Sequence, residues 1–206
     1  MKKLLLLGKE IDYENSKILL KSAPDENWRN DWVPMSGTWD YKDGYLIGYE
    51  QGNFGGILFS KQSFDKNIMM TYKVSTVLPA TRDVNAVFCA HWDEKTDYLG
   101  VSYVCGLNGW YENKSGIERN EGFCALTSSY YYEPGTEIEM TVGAINGHCF
   151  MFVDGKLITE YIDENPILDG HIGFSAYCTM LKIRDIEIRE ISYKERVQLY
   201  DPEFDV

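Results

Sequence analysis

The sequence predicts an all-β protein built as a two-sheet antiparallel jelly-roll sandwich, and three observations carry that expectation. From Gly44 onward, short alternating or apolar runs follow one another between turn residues, with no stretch of helical periodicity. Asn146-Gly147 and Asp154-Gly155, two dipeptides that accept positive φ, separate β-rich segments and mark type I′ hairpin turns. Aromatic residues make up 14% of the chain and include fifteen Tyr, a bias that suits half-buried pleated surfaces and also stacking on sugar rings.

The opening Met1-Lys2-Lys3 and the run Leu4 to Leu7 imitate a secretory leader. The apolar run is shorter than the roughly 7–15 residues such a leader needs, and Lys9, Glu10 and Asp12 close it. With no run near the roughly 20 apolar residues of a membrane span, a cytoplasmic location is expected. No repeat, low-complexity tract or flexible linker divides the chain, so residues 1–206 read as one domain, with 1–14 and 193–206 as peripheral extensions. Strands are expected at 45–49, 56–60, 68–77, 85–92, 98–105 and 109–113, then a three-stranded meander across 138–161, then 171–176 and 181–191. In the last strand Leu181 and Ile183 are followed by Ile186 and Ile188, and the spacing of three predicts a bulge near Arg184 and Asp185. Its acids Asp185, Glu187 and Glu190, with Arg184 and Arg189 beside them, read as a charged outer face. Strand number and length favour a jelly roll over an immunoglobulin-like sandwich, for which roughly 100 residues suffice.

Composition removes whole classes of function. Twenty basic against thirty-two acidic side chains leave a net charge of −12, which repels phosphate backbones and anionic lipid alike. No nucleic-acid or membrane partner is therefore expected. Cys89, Cys105, Cys124, Cys149 and Cys178 are odd in number and form no C-x-x-C, so neither a disulfide framework nor a zinc knuckle is expected, and most of them read as small core hydrophobes. His91-x-Asp93 is too sparse for a metal site, and no cofactor is expected. A structural Ca²⁺, if held, would draw on scattered loop Asp and Asn oxygens. The sequon Asn113-Lys114-Ser115 reads as chance. Long sheets with exposed edges also pair subunits, which makes a homodimer one expectation.

Candidate sites come from residue type and spacing. Glu10, Asp12 and Glu14 alternate as do the carboxylates of retaining glycosidases, where nucleophile and acid stand about 5–5.5 Å apart. Their place ahead of the first Trp residues makes a solvated acidic segment the better reading. On a strand at 85–92, Asn85, Val87, Cys89 and His91 share one face, and Ala86, Phe88, Ala90 and Trp92 share the other. The second set reads as core, which leaves Asn85 and His91 on a polar face near Asp93 and Asp97. There His91 is either a general base near neutral pH or a histidine satisfied at a strand end. His148 and His171 read as structural. Trp110, Tyr111, Glu112 and Asn113, with Tyr103 upstream and Glu118 and Arg119 downstream, mix aromatic platforms with hydrogen-bonding groups. A sugar site needs that mixture, because ring faces cover the C–H side of a pyranose while paired polar groups fix its hydroxyls. The plainer alternative makes Trp110 and Tyr111 half core and half rim. Tyr130-Tyr131-Tyr132 is either a binding rim or the approach to the meander.

Several phrases together carry a resemblance: Trp28, Trp32 and Gly37-Thr38-Trp39, then Asp43-Gly44-Tyr45-Leu46, Phe64-Asp65, Asn85-Ala86-Val87-Phe88, Val153-Asp154-Gly155-Lys156 and Gly170-His171-Ile172-Gly173-Phe174. Over nearly the whole chain this resembles the concanavalin A-like lectin/glucanase superfamily, and within it the 3-keto-disaccharide hydrolase-like and YesU-like domains. Asn85-Ala86-Val87 departs from the Asn-Ser-Gly more usual in the keto-sugar group. The resemblance implies a sugar or glycoside ligand on the concave sheet. It also implies a glycoside-processing hydrolase or lyase that acts on glycosides or on their 3-keto derivatives. In that reading His91 takes the proton next to the ketone, and Tyr103 or Arg119 steadies the enolate. Asn85, Trp110, Tyr111, Glu112 and Glu118 would then bind substrate. The alternative is a non-catalytic lectin-like module that uses Trp110 and Tyr111.

Overall fold

The computed structural model describes residues 3–50, 52, 55–65, 67–120 and 122–195, with the backbone alone for Glu112, Phe123 and Cys124. Most of the expected 193–206 extension lies outside the described residues. Strands β1 (Leu4–Leu6) and β2 (Lys9–Ile11) form a hairpin, followed by β3 (Lys17–Ser22), β4 (Trp32–Pro34), β5 (Thr38–Lys42), β6 (Tyr45–Glu50) and β7 (Gly56–Ser60). Next come β8 (Ile68–Thr76), β9 (Val84–Ala90), the short pair β10 (Trp92–Asp93) and β11 (Tyr98–Leu99), then β12 (Tyr103–Trp110), β13 (Lys114–Arg119) and β14 (Phe123–Thr127). The meander is β15 (Ile138–Ile145), β16 (His148–Val153) and β17 (Lys156–Ile162), and β18 (His171–Ala176) and β19 (Thr179–Glu190) follow it.

Two antiparallel sheets stack face to face, as the sequence predicts. The seven-stranded sheet has the order β14-β13-β12-β9-β18-β7-β4, and the eight-stranded one β17-β16-β15-β8-β19-β6-β5, with β3 also pairing β19. Alternate residues of both sheets fill the space between them: Leu58, Ala86, Phe88, Cys105, Ile117 and Phe174 from one, Met70, Tyr72, Met140, Val142, Leu181 and Ile183 from the other. Phe174 sits at the centre, 5.4 Å from the Trp32 ring and 4.9 Å from that of Tyr72. No helix of the described residues is long and apolar enough to cross a membrane.

The turn chemistry works as expected. Asn146-Gly147 and Asp154-Gly155 all adopt positive φ, and each joins two strands of the meander. The last strand has its register shift between Arg184 and Glu187, with Asp185 at φ 53. Leu181, Ile183, Ile186 and Ile188 thus all point inward, while Arg184 pairs with Glu137 and Asp185 and Arg189 with Glu187 on the charged outer side.

Three expectations need correction. The first is the facing of 85–92. Cys89 takes φ 47 and the register to β18 shifts there, so Cys89 turns into the core beside Phe88, while Ala90 and Trp92 join Val87 on the outer face. A bulge reverses alternation beyond it, so His91 does not share a face with Asn85. The second is the strand at 109–113, because β12 ends at Trp110 and Tyr111–Asn113 form a 3₁₀ turn. The third concerns residues 4–11, read as a peripheral extension: they bury Leu4, Leu6 and Ile11 against Met69, Phe150 and Phe152. Glu160 accepts from the Leu7 N–H at 2.9 Å and faces His148 at 2.7 Å, which ties this hairpin to the meander.

Candidate functional site

The outer face of the seven-stranded sheet divides into two halves. The β10–β11 hairpin folds back over one of them and packs Trp92, Tyr98 and Leu99 on Ile57, Phe59 and Val87. In the other half, residues facing each other across the pairings form a row, Gly116, Gly106, Asn85 and Ser175, on β13, β12, β9 and β18. The two adjacent glycines carry no side chain of their own, and Leu126 leans over Gly116; together they form the floor of a trough.

Polar and aromatic groups wall it. Asn85 leans over Gly106 and Asp83 over Gly109, each filling the place a Cβ on the glycine would occupy. Asn85 donates weakly to Asp83 (3.4 Å), and Asp83 is gripped by Arg82 at 2.7 Å. Burial raises the Asp83 carboxyl above its usual range, and Arg82 opposes that shift. Asn85 is only 7% exposed, and its Oδ1 finds no partner among the described residues. The Trp110 indole N–H donates to Glu118 at 2.7 Å, which fixes the ring plane. Tyr98, Tyr177 and Ser175 meet around Gly55, whose Cβ would stand 3.5 Å from the Tyr98 hydroxyl, 3.3 Å from Tyr177 and 3.8 Å from Ser175 Oγ. Burial raises the Tyr98 phenol, and Tyr177 and Glu118 add to the shift.

The expected binding residues Asn85, Trp110 and Glu118 therefore come together. Tyr111 does not join them, being 82% exposed on the 3₁₀ turn, and the Glu112 side chain lies outside the described residues. Arg82, Asp83, Tyr98, Ser175 and Tyr177 were missed by sequence reasoning. The detectable signal was the set Gly106, Gly109 and Gly116 on successive strand segments, since glycine inside a strand marks close approach of something else.

The three residues expected to be catalytic sit elsewhere, and all three engage the loop 163–169. Tyr103 is fully buried. Its hydroxyl donates to Asp163 at 2.6 Å and accepts from the Ile167 N–H at 3.1 Å, and burial together with the Asp163 bond pushes its phenol up. Arg119 Nη1 donates to Asp163 at 2.9 Å and to the Asn165 carbonyl at 2.9 Å. His91 Nε2 faces the Asp169 carbonyl at 3.1 Å and its carboxylate at 3.5 Å. His91 stands six residues from Asn85, roughly 20 Å along the strand direction. A cleft of about 520 Å³ opens beside Arg119 and Asp163. Its groups are mutually engaged, for Asn120 also donates to the Leu99 and Gly100 carbonyls and Asp163 accepts from the Asn165 N–H.

The remaining candidates are structural. His171 stacks on Phe59 with ring centroids 5.2 Å apart, and its Nδ1 lies 2.8 Å from the Ser60 carbonyl. Of the Tyr triplet, Tyr132 is buried on the approach to the meander, where its hydroxyl accepts from the Thr76 N–H and donates to the Thr136 carbonyl, while Tyr131 is exposed. Glu10 lies 3.4 Å from Lys194, and Asp12 closes a local turn with Asn15. Among the described residues no three His, Cys, Asp or Glu side chains gather to hold a metal ion.

No protein-family model matches the chain, and neither does any curated protein. Solved structures do. A Bacillus subtilis protein of unknown function with a galectin-like fold superposes with a TM-score of 0.71 at 16% identity, covering 87% of this chain and 100% of that one. The carbohydrate-binding module CBM66 from Bacillus subtilis gives 0.62 at 13% identity, over 76% of this chain and 93% of that one. The VIP36 exoplasmic/lumenal domain, solved with Ca²⁺ and Man3GlcNAc, gives 0.60 at 12% identity, over 91% and 92%. The fold is a galectin-like, concanavalin A-like sandwich. At these identities the likeness concerns the fold, and on a concanavalin A-like sandwich function resides in whatever the sheet faces present. Here the outer face of the seven-stranded sheet presents the trough.

Proposed function

We propose that the chain is a carbohydrate-binding protein whose ligand lies in the trough on the outer face of the seven-stranded sheet. The observation that carries this reading is the Trp110 ring, fixed by Glu118 beside the strand glycines Gly106 and Gly116, with the Asn85 amide lying over Gly106. A flat, immobilised aromatic covers the apolar side of a pyranose, and Asn85, Ser175, Tyr98 and Glu118 supply acceptors and donors for its hydroxyls. Solved structures of the same fold bear names that mention carbohydrate binding or a bound glycan, which raises the prior by analogy. The trough holds Asp83 and Glu118 against one guanidinium, Arg82, so neutral or amino sugars fit it better than uronic acids.

Binding takes precedence over proton abstraction because His91, Tyr103 and Arg119 lie at the other end of the sheet and hold a loop. Calorimetry with neutral, amino and uronic oligosaccharides, on wild type and Trp110→Ala, tests the reading. Binding of a neutral or amino sugar, weakened at least tenfold by the substitution, is expected. Mass spectrometry of the same mixtures, extended to 3-keto-glycosides, should show no new product. Turnover that disappears in His91→Ala would instead establish the general-base chemistry.

A further inference from the structure

Beyond the trough, a second cleft of about 380 Å³ opens at the same end of the sandwich, lined by Tyr49 and Glu50, by residues 77–80 and by residues 178–180. Most of its wall is apolar: Val77, Leu78, Pro79, Ala80 and Met180. Leu78 is 63% exposed, although nothing in the packing of the two sheets requires an apolar side chain there.

Two chain segments lead from this cleft into the trough. One carries Val77 to Ala80 in the cleft and Arg82 and Asp83 in the trough. The other carries Tyr177 in the trough and Cys178 to Met180 in the cleft. The Val77 N–H donates to the Met180 carbonyl at 2.8 Å, which holds the two segments side by side. Buried side-chain polar atoms without a partner among the described residues are Asn85 Oδ1 and Thr179 Oγ1, and they fall one in each half. Natural structures leave few such atoms, since a buried acceptor that has lost water and gained no donor is destabilising.

Resting on the reading of the trough as a sugar site, we infer that trough and cleft are one site and that the ligand is a glycoside with an apolar aglycone, aryl or alkyl, seated on Leu78, Ala80 and Met180. The division of chemistry carries this. Hydroxyl-matching groups and ring platforms stand in the trough, whereas the cleft offers a mostly apolar surface, with Tyr49, Glu50, Cys178 and Thr179 as its polar neighbours among the described residues. A second sugar ring would need hydroxyl partners that Leu78, Pro79 and Ala80 do not provide.

Matched glycosides of the sugars bound in the trough test it: methyl, 4-nitrophenyl and disaccharide forms of each, titrated by calorimetry. The 4-nitrophenyl form should bind at least tenfold more tightly than the methyl form, and the disaccharide should not match that gain. Leu78→Asp, at an exposed position, and Ala80→Glu should each bring the aryl-to-methyl ratio close to one, whereas Trp110→Ala should weaken both forms together. Equal affinity of the aryl and methyl forms for wild type overturns the inference and leaves the sugar site standing. A ratio unmoved by both cleft variants does the same. Binding of methyl glycosides that ignores Trp110→Ala overturns the parent reading instead.

Discussion

The two ends of the seven-stranded sheet carry nearly the same inventory of side chains and differ in how far their polar groups are satisfied. At one end Tyr103, Arg119 and His91 meet Asp163, Asn165 and Asp169, and the bonds run inward to a loop. At the other, Trp110, Glu118, Asp83, Asn85 and Tyr98 surround a glycine floor, with a buried acceptor left over. Residue type alone cannot separate an anchor from a site. The distinction lies in unmet hydrogen-bonding capacity, because a fully paired cluster has nothing left to offer a ligand, while a partly paired one persists only where something else holds it in place.

If that distinction is right, substitutions at the two ends should fail in opposite ways. The largest effect is expected from Asp163→Ala. Asp163 is almost completely buried and serves Tyr103, Arg119 and the Asn165 N–H together. Its removal strands a guanidinium and a buried phenol and should cost about 3–5 kcal/mol in urea unfolding. Sugar affinity of the remaining folded protein should stay within about twofold of wild type if the loop is an anchor. A large affinity loss would move the site to that end of the sheet.

A smaller loss of stability is expected from Gly106→Ala. The new Cβ would overlap Asn85 Oδ1 and stand 2.6 Å from the Val84 carbonyl, which is backbone and cannot step aside. Overpacking of this kind costs about 1–3 kcal/mol, and the Asn85 side chain must leave the floor. Binding should fall with it, and a ligand affinity unchanged beside a lowered midpoint would show that the floor is mere packing. Asn85→Ala separates the two roles more cleanly. It deletes an unpartnered buried acceptor and one 3.4 Å contact, so stability should remain within about 1 kcal/mol of wild type while sugar affinity drops. The opposite pattern, lost stability with intact binding, would reclassify Asn85 as an anchor.

Much of the sandwich was legible in the chain. Asn146-Gly147 and Asp154-Gly155 are turns because their residues tolerate positive φ, and the three-residue gap between Ile183 and Ile186 announces a bulge because a period of two cannot otherwise keep both inside. The bulge at Cys89 was not legible. A cysteine at φ 47 carries no turn signature, and the single extra residue moved His91 off the Asn85 face. The strands at 32–34, 38–42 and 123–127 escaped because short edge strands carry too few residues for alternation to show, and 114–119, paired on both sides, escaped because Ile117 is its lone large apolar residue. In the site, Asn85, Trp110 and Glu118 were readable as polar and aromatic neighbours within one stretch. Tyr98, Ser175 and Tyr177 were not, because only the strand order β12-β9-β18 and the fold-back of the β10–β11 hairpin bring them there.

The smallest effect expected is one of pH, and it bears on the trough alone. Burial raises the Asp83 carboxyl above its unfolded value of 3.8, more than Arg82 and Asn85 lower it. A carboxyl raised on folding holds its proton more tightly in the native state, so its contribution to stability is fully present below the unfolded value and is lost as pH rises through the folded one. Relative to Asp83→Asn, whose amide does not titrate, wild type should therefore gain stability as the solution is taken from neutrality to below pH 4. Thermal or urea unfolding of both proteins at a series of pH values reads the difference directly. A gap that narrows in the opposite sense would mean that Arg82 outweighs burial at this position. The trough would then hold a fully paired Asp83, which would make it resemble the other end of the sheet.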